Sequence, residues 1–149
     1  MARANKFYVQ VDGAKELDRD LELMGDGAAA VLDAAVIAGG RIALQKAKQY
    51  ARSRIKNGTG NLERNIIIKP VIRRAGHSGK KRRIERGSVS IGVSRAGKKG
   101  DANNAYYGSF VELGTKYQTA KKFMRDAVDW NRGKIARAVV DKFKSIMRG

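Results

Sequence analysis

Cysteine is absent from the 149 residues, so neither a disulfide nor a thiolate metal site can form. Histidine occurs once, as His77, between Gly76 and Ser78. That excludes His-rich metal sites and leaves Ser–His–Asp catalysis with one candidate base that has no carboxylate beside it to orient it. Proline also occurs once, as Pro70, and aromatic residues make up only 7%. Acidic residues are scarce, 14 Asp+Glu against 32 Lys+Arg. Long apolar runs are missing. The stretch 27–40 is interrupted by Asp33 and is far below membrane-spanning length. The first residues, through Asp12-Gly13, lack the apolar core of a secretory leader. The chain therefore reads as soluble, intracellular or assembled from an intracellular pool, with no membrane partner, metal or cofactor.

A chain of this length matches one domain, and a globular chain of its mass buries roughly 68% of its extended surface. We read residues 1–149 as a single domain. The net charge is +18 and the isoelectric point about 10.6. A field of that sign favours anionic partners and says nothing about fold. It is unevenly distributed: residues 1–40 are net −3, whereas 69–100 carry +10 and six glycines.

Phe7–Val11 is aromatic and β-branched and ends at Asp12-Gly13, which predicts a short strand. Leu17, Leu21 and Met24 predict a short amphipathic helix over 14–24. A long helix follows over about 27–56, capped by Asp26, with the stripe Val31/Leu32, Ala35/Val36, Ala43, Ala47, Tyr50/Ala51. Gly39-Gly40 inside it costs about 1 kcal/mol per glycine relative to alanine, so the helix bends there or another chain segment packs close. Residues 65–72 predict a strand, with Pro70 marking an edge or a bulge. Residues 88–93 alternate with period two, burying Val89, Ile91 and Val93. Between these strands, residues 73–87 predict a flexible basic hairpin loop. Residues 105–113 suit a short helix with Tyr106, Phe110 and Leu113 on one face, a strand being the alternative. A last long helix starts near Gln118 or Thr119, with Gly133 as a candidate interruption. The whole reads as α+β: a small antiparallel or mixed sheet packed by a long central helix and a long C-terminal helix.

Gly92 to Lys99 approaches a phosphate-binding P-loop, but Lys99 stands where the Mg²⁺-binding hydroxyl belongs and no apolar helix follows. It reads as a basic loop. Asp126 and Asp129 could share a helix face, yet Lys122, Arg125 and Arg132 surround them, which predicts solvated ion pairs. Glu112 stands between Val111 and Leu113. It is either a charge presented at an interface or a surface glutamate paired with a cation. The basic run Arg73, Arg74, Lys80, Lys81, Arg82, Arg83 and Arg86 could neutralise phosphates or dock on an acidic protein. It contains no aromatic residue to stack on a base.

Three motifs in order carry a resemblance: Thr59-Gly60-Asn61-Leu62, then Tyr106-Tyr107-Gly108-Ser109-Phe110-Val111-Glu112-Leu113-Gly114-Thr115, then Ala120-Lys121-Lys122-Phe123-Met124-Arg125-Asp126-Ala127. With the preceding strand and helices, they resemble the tail-component family of long-tailed bacteriophages typified by gene product ten of a lambda-like coliphage. The resemblance implies a non-enzymatic virion protein of the head–tail joining (neck) region that completes the tail. It implies a homo-oligomeric ring, hexamer or dodecamer, made in the host cytoplasm. Implied partners are head-closure, tail-terminator or major tail proteins, with DNA passing the channel as a further one. Tyr106, Tyr107, Phe110, Glu112, Gly114 and Thr115 are the expected assembly interface, and 73–87 the docking arm. The alternative is a small nucleic-acid-binding protein contacting phosphates through 73–100.

Overall fold

In a computed structural model, residues 7–10, 26–56, 58–75 and 81–149 are described. The elements in order are β1 (Phe7–Gln10), α1 (Asp26–Arg54), α2 (Asn61–Arg64), β2 (Ile66–Ala75), β3 (Lys81–Val93), α3 (Gly108–Leu113), α4 (Phe123–Asp129) and α5 (Arg132–Arg148). The helix expected over 14–24 and His77 lie outside the described residues.

The fold is α+β. Its strands form an antiparallel sheet in the order β1-β3-β2. β2 is thus an edge strand, and its register against β3 shifts between Pro70 and Ile72. Pro70 lacks the N–H that a central strand would need, so both meanings of a strand proline apply. On the β2 side, residues 85–88 of β3 lie opposite the single residue Val71, and Gly87 within them has a positive φ of 68°. Its N–H donates to Asp33 Oδ1 at 2.9 Å, tying the bulge to α1. Val89 and Ile91 are buried and Val93 is half-buried, but Ser90 between them is buried as well, so the expected alternation holds only in part.

The basic loop expected over 73–87 is instead largely strand. Arg73 pairs with Arg83, Arg74 with Arg82 and Ala75 with Lys81, leaving only 76–80 outside the described residues. Charge and glycine content argued for a loop. Once two strands adjoin, however, each further antiparallel pair closes no new loop, so pairing propagates down the arms.

α1 is the centre of the fold. Leu32, Ala35, Val36, Ala43, Ala47 and Ala51 are all buried. α1 has two sets of packing partners, the sheet on the one hand and α4 with α5 on the other, and α4 also touches β1. The adjacent glycines serve the two sets. A Cβ on Gly39 would stand 2.5 Å from Val139 Cγ2 of α5, and one on Gly40 would stand 2.8 Å from Val89 Cγ2 of β3. Close approach, not a bend, explains the pair. Gly39→Val should therefore overpack the α1–α5 contact and cost about 2–3 kcal/mol. Thermal unfolding should show it, and Val139→Ala in the same chain should restore part of the loss.

The expected single last helix is two, α4 and α5. Gly133 lies in the first turn of α5 and interrupts nothing. The break falls at Trp130-Asn131, where Asn131 Nδ2 donates to Ala127 O at 3.0 Å. The side-chain amide takes the carbonyl that a continuing helix would give to the backbone.

Candidate assembly interface

The first motif is the hinge between α1 and the sheet. Gly60 has φ 74°, a left-handed turn that suits glycine, and it caps α2. Leu62 on α2 is buried. Asn61 Nδ2 donates to Tyr107 Oη and Asn104 O, both at 3.4 Å. Asn65, itself buried, donates to Asn61 Oδ1 at 2.8 Å and Ala102 O at 2.7 Å. Asn104 closes the 94–107 segment: its Nδ2 donates to Gly97 O and Lys98 O, and its Oδ1 accepts from Tyr106 N. Gly108 then lets α3 close on the sheet, since a Cβ there would stand 2.7 Å from Val93 Cγ2 and 2.8 Å from Leu62 Cδ1. The first motif thus holds the start of the second. A cavity of about 220 Å³ lies here, bounded by Ala51, Ile55, Leu62 and Tyr107. Its two charged residues, Arg52 and Glu63, are paired with each other at 2.6 Å.

Glu112 joins the second motif to the third, in neither of the expected ways. It is 1% exposed and makes no ion pair among the described residues. Its carboxylate accepts from Met124 N and Arg125 N, both at 2.9 Å, and so caps α4 from across the chain. Burial pushes this carboxyl above the usual carboxylate range, against the pull of the two N–H donors. Between the partners, residues 114–122 form a tight excursion. Thr115 and Gln118 exchange backbone hydrogen bonds, Lys121 N donates to Val111 O, and Lys122 N donates to Glu112 O. Gly114 opens it with φ 78° and ψ 174°. Lys122 closes it at φ 47°, an uncommon conformation for a side-chain-bearing residue.

Arg54 staples this unit to the end of α1. Its Nη1 reaches Lys121 O at 2.8 Å and Asp126 Oδ2 at 2.6 Å, and its guanidinium lies over the Tyr50 and Trp130 rings. Asp126 is therefore half-buried and paired with Arg54, not with the local cations the sequence suggested. Asp129 does pair locally, with Arg132 and Arg125. Arg54, Asn65 and Asn104 escaped the sequence reading, because nothing in their neighbourhoods names partners so distant in the chain.

What the buried network holds up is a surface. Tyr106, Phe110 and Leu113 recur at helical spacing and are 36%, 47% and 53% exposed. Of the face expected over 105–113, Phe110 and Leu113 lie on α3 and Tyr106 lies in the turn before it, and all three are exposed. Tyr107, which is half-buried, stacks edge-on against Tyr106 at 5.7 Å. Thr115 is exposed, and Tyr117 at the turn tip is 86% exposed. Cations border the stripe: Lys99 Nζ lies 4.8 Å from the Tyr106 ring centre, and Arg95 Nη2 donates to Ser109 Oγ at 3.2 Å.

Residues 97–100 form bends and turns with no helix after them, and the Asp101 carboxylate accepts from Lys98 N, so nothing there cradles a phosphate. Among the described residues, no group of three His, Cys, Asp or Glu could hold a metal ion, and no helix is long and apolar enough to cross a membrane.

A sequence model of the HK97-gp10-like family, described as "Bacteriophage HK97-gp10, putative tail-component", matches residues 15–114. The chain belongs to this family. An HK97-gp10-like protein is a structural tail component of a phage virion, not a member of an enzyme class, and it meets other phage structural proteins. The match spans the first motif and the second as far as Gly114, and the α4 motif lies beyond it. No curated protein and no solved structure matches the chain.

Proposed function

We propose that this tail component works at the head–tail joining region, where it assembles as a hexameric or dodecameric ring that completes the tail and docks it to the head connector. The observation that carries this reading is the exposed Tyr106–Phe110–Leu113 stripe, beneath which Asn61 bonds to Tyr107 and Glu112 to the start of α4. Contiguous exposed apolar side chains on a small domain mark a protein contact. Of the residues expected at the interface, Tyr106, Phe110 and Thr115 supply contact surface. Tyr107, Glu112 and Gly114 supply its support. A closed ring needs heterologous contacts, one patch meeting a different patch on the next subunit. Assembly takes place in the host cytoplasm before the particle is complete.

Native mass spectrometry or light scattering tests the reading. The expected result is a ring-sized oligomer, formed alone or on adding the neck and tail proteins of the same phage. A monomer inert towards all of them would refute it.

One observation favours a second reading, nucleic-acid binding. The hairpin register sets Arg73 opposite Arg83 and Arg74 opposite Arg82, and like charges opposed across strands are destabilising without an anion between them. DNA passing the channel is a candidate source of that anion. Duplex binding at physiological salt, lost when Lys80, Lys81, Arg82 and Arg83 become alanine, would support it.

A further inference from the structure

We propose that the Tyr106–Phe110–Leu113 face receives residues 12–26 of the next copy of this chain, the acidic, leucine-bearing stretch between β1 and α1. The inference rests on the ring reading above and names the two unlike patches that a heterologous contact requires.

The face sets what must cover it. Phe110 and Leu113 are exposed and need apolar cover. Lys99 lies over the Tyr106 ring, Arg95 donates to Ser109 on α3, and Lys116 stands 4.7 Å from the Tyr117 ring centre just past the stripe. None of these cations is in an ion pair among the described residues, so carboxylates belong at the border. One stretch of the chain carries both features. Residues 12–26 hold six of the 14 carboxylates against the two cations Lys15 and Arg19, and Leu17, Leu21 and Met24 recur within them at spacings of four and three. Six of the other eight carboxylates are engaged inside the fold, on backbone N–H groups or on cations. The chain total of +18 does not oppose the contact, because exposed charges more than about 8 Å apart are largely screened at physiological salt and the local pairing decides.

Chain geometry assigns the segment to a neighbour. Tyr107 and Ala51 line one cavity, so the stripe lies beside the C-terminal end of α1. Asp26, where the segment enters α1, is 25 residues from Ala51, about 37 Å at the helical rise. The other tether is Gln10, which pairs with Ser88. Val93, against which Gly108 packs, lies five residues further along β3, about 17 Å away. Met24 is two residues from Asp26 and stays within about 7 Å of it. The segment therefore cannot lay Leu17, Leu21 and Met24 together on the stripe of its own subunit. On the next copy it can. The acidic end of one subunit then meets the cation-bordered end of another, head to tail, which is the arrangement that closes into a ring.

The test uses the full chain, under whichever condition forms the ring, alone or with the neck and tail proteins. Rings made from equal amounts of ¹⁴N- and ¹⁵N-labelled chain are treated with a carbodiimide, which joins an amine directly to a carboxylate. Lys99 or Lys116 should be joined to residues 12–26, and in pairs of mixed isotope. Phe110→Ser and, separately, Leu17→Ser with Leu21→Ser should each weaken assembly at least about tenfold in sedimentation velocity, as loss of a central contact does. Phe110 is exposed, so its variant should keep its melting temperature. Cross-links to residues 12–26 of one isotope only would place the segment on its own subunit and overturn the proposal. Cross-links from Lys99 and Lys116 to a neck or tail protein instead would overturn it in favour of that partner. Rings that both sets of substitutions leave intact would refute this contact and leave the ring reading standing. A wild-type chain that forms no ring under any of these conditions would refute the ring reading itself, and this contact with it.

Discussion

Glu112→Ala should lower the stability of the protein by about 2–4 kcal/mol, the loss of a helix cap plus the exposure of an unpaired buried N–H. For a chain of this size that is roughly 5–15 °C in melting temperature. The carboxylate takes both Met124 N and Arg125 N, and Met124 is 2% exposed, so water cannot replace the lost acceptor at that end. The desolvation cost of the carboxylate disappears with it, which is why the loss stays below the sum of two charge-assisted hydrogen bonds. Glu112→Gln keeps one acceptor and turns the other position into a donor facing a donor, so it should fall between wild type and alanine.

The same pair of proteins yields a pH signature of defined sign. Burial raises the folded-state pKa of Glu112 above its unfolded value. The native state then holds this proton more tightly than the unfolded one. The group's contribution is fully present below the unfolded pKa and declines as pH rises through the folded pKa. Glutamine does not titrate. The difference in melting temperature, wild type minus Glu112→Gln, should therefore shrink with rising pH across that window and then level off. A difference that grows with pH would contradict the burial argument.

Gly114→Ala should be the more damaging change. At φ 78° and ψ 174° the backbone occupies a region essentially reserved for glycine. An added Cβ would also stand 2.7 Å from both Ala120 N and Gln118 O. Both are backbone atoms of the 114–122 excursion, so neither can rotate away. The expected cost is at least about 3 kcal/mol, conformational strain plus overpacking. The melting temperature should fall by more than about 10 °C. Limited proteolysis should cut between 114 and 122 first, because the excursion is what must move. Thr115→Ala, one residue on and exposed, is the control and should stay within about 2 °C of wild type. A Gly114→Ala protein as stable as that control would show that the turn relaxes freely.

These two residues also show where sequence reading stops. The motif around Glu112 was visible, and so was the oddity of a charge among apolar neighbours. Its partner was not, because an acceptor for two backbone N–H groups has no side-chain signature. Any segment that starts a helix nearby would do, and only the path of 114–122 selects α4. The spacing of Tyr106, Phe110 and Leu113 was legible as a period, although the helix itself begins only at Gly108. Whether that period faced the core or solvent was not, since spacing fixes neighbours on a helix and never the direction in which the helix is turned. The break between α4 and α5 was missed for a related reason: Asn131 prefers a backbone acceptor, and that preference is decisive only where burial removes water as a competitor.

The elements that the chain determined by itself are those whose signal is local and repeated. The α1 stripe, the burial of Val89 and Ile91, the edge and bulge meaning of Pro70, and the concentration of +10 in residues 69–100 all follow from residue order alone. Tertiary structure decided the rest. It turned Gly39 and Gly40 into contacts with two different layers, and it carried the basic run down the arms of a hairpin. It also paired Arg54 with Asp126, and it placed Glu112 inside and Tyr106, Phe110 and Leu113 outside. Each of these outcomes depends on which distant group occupies a given point in space, and a hydrogen bond or a buried contact is specified only when both of its ends are known.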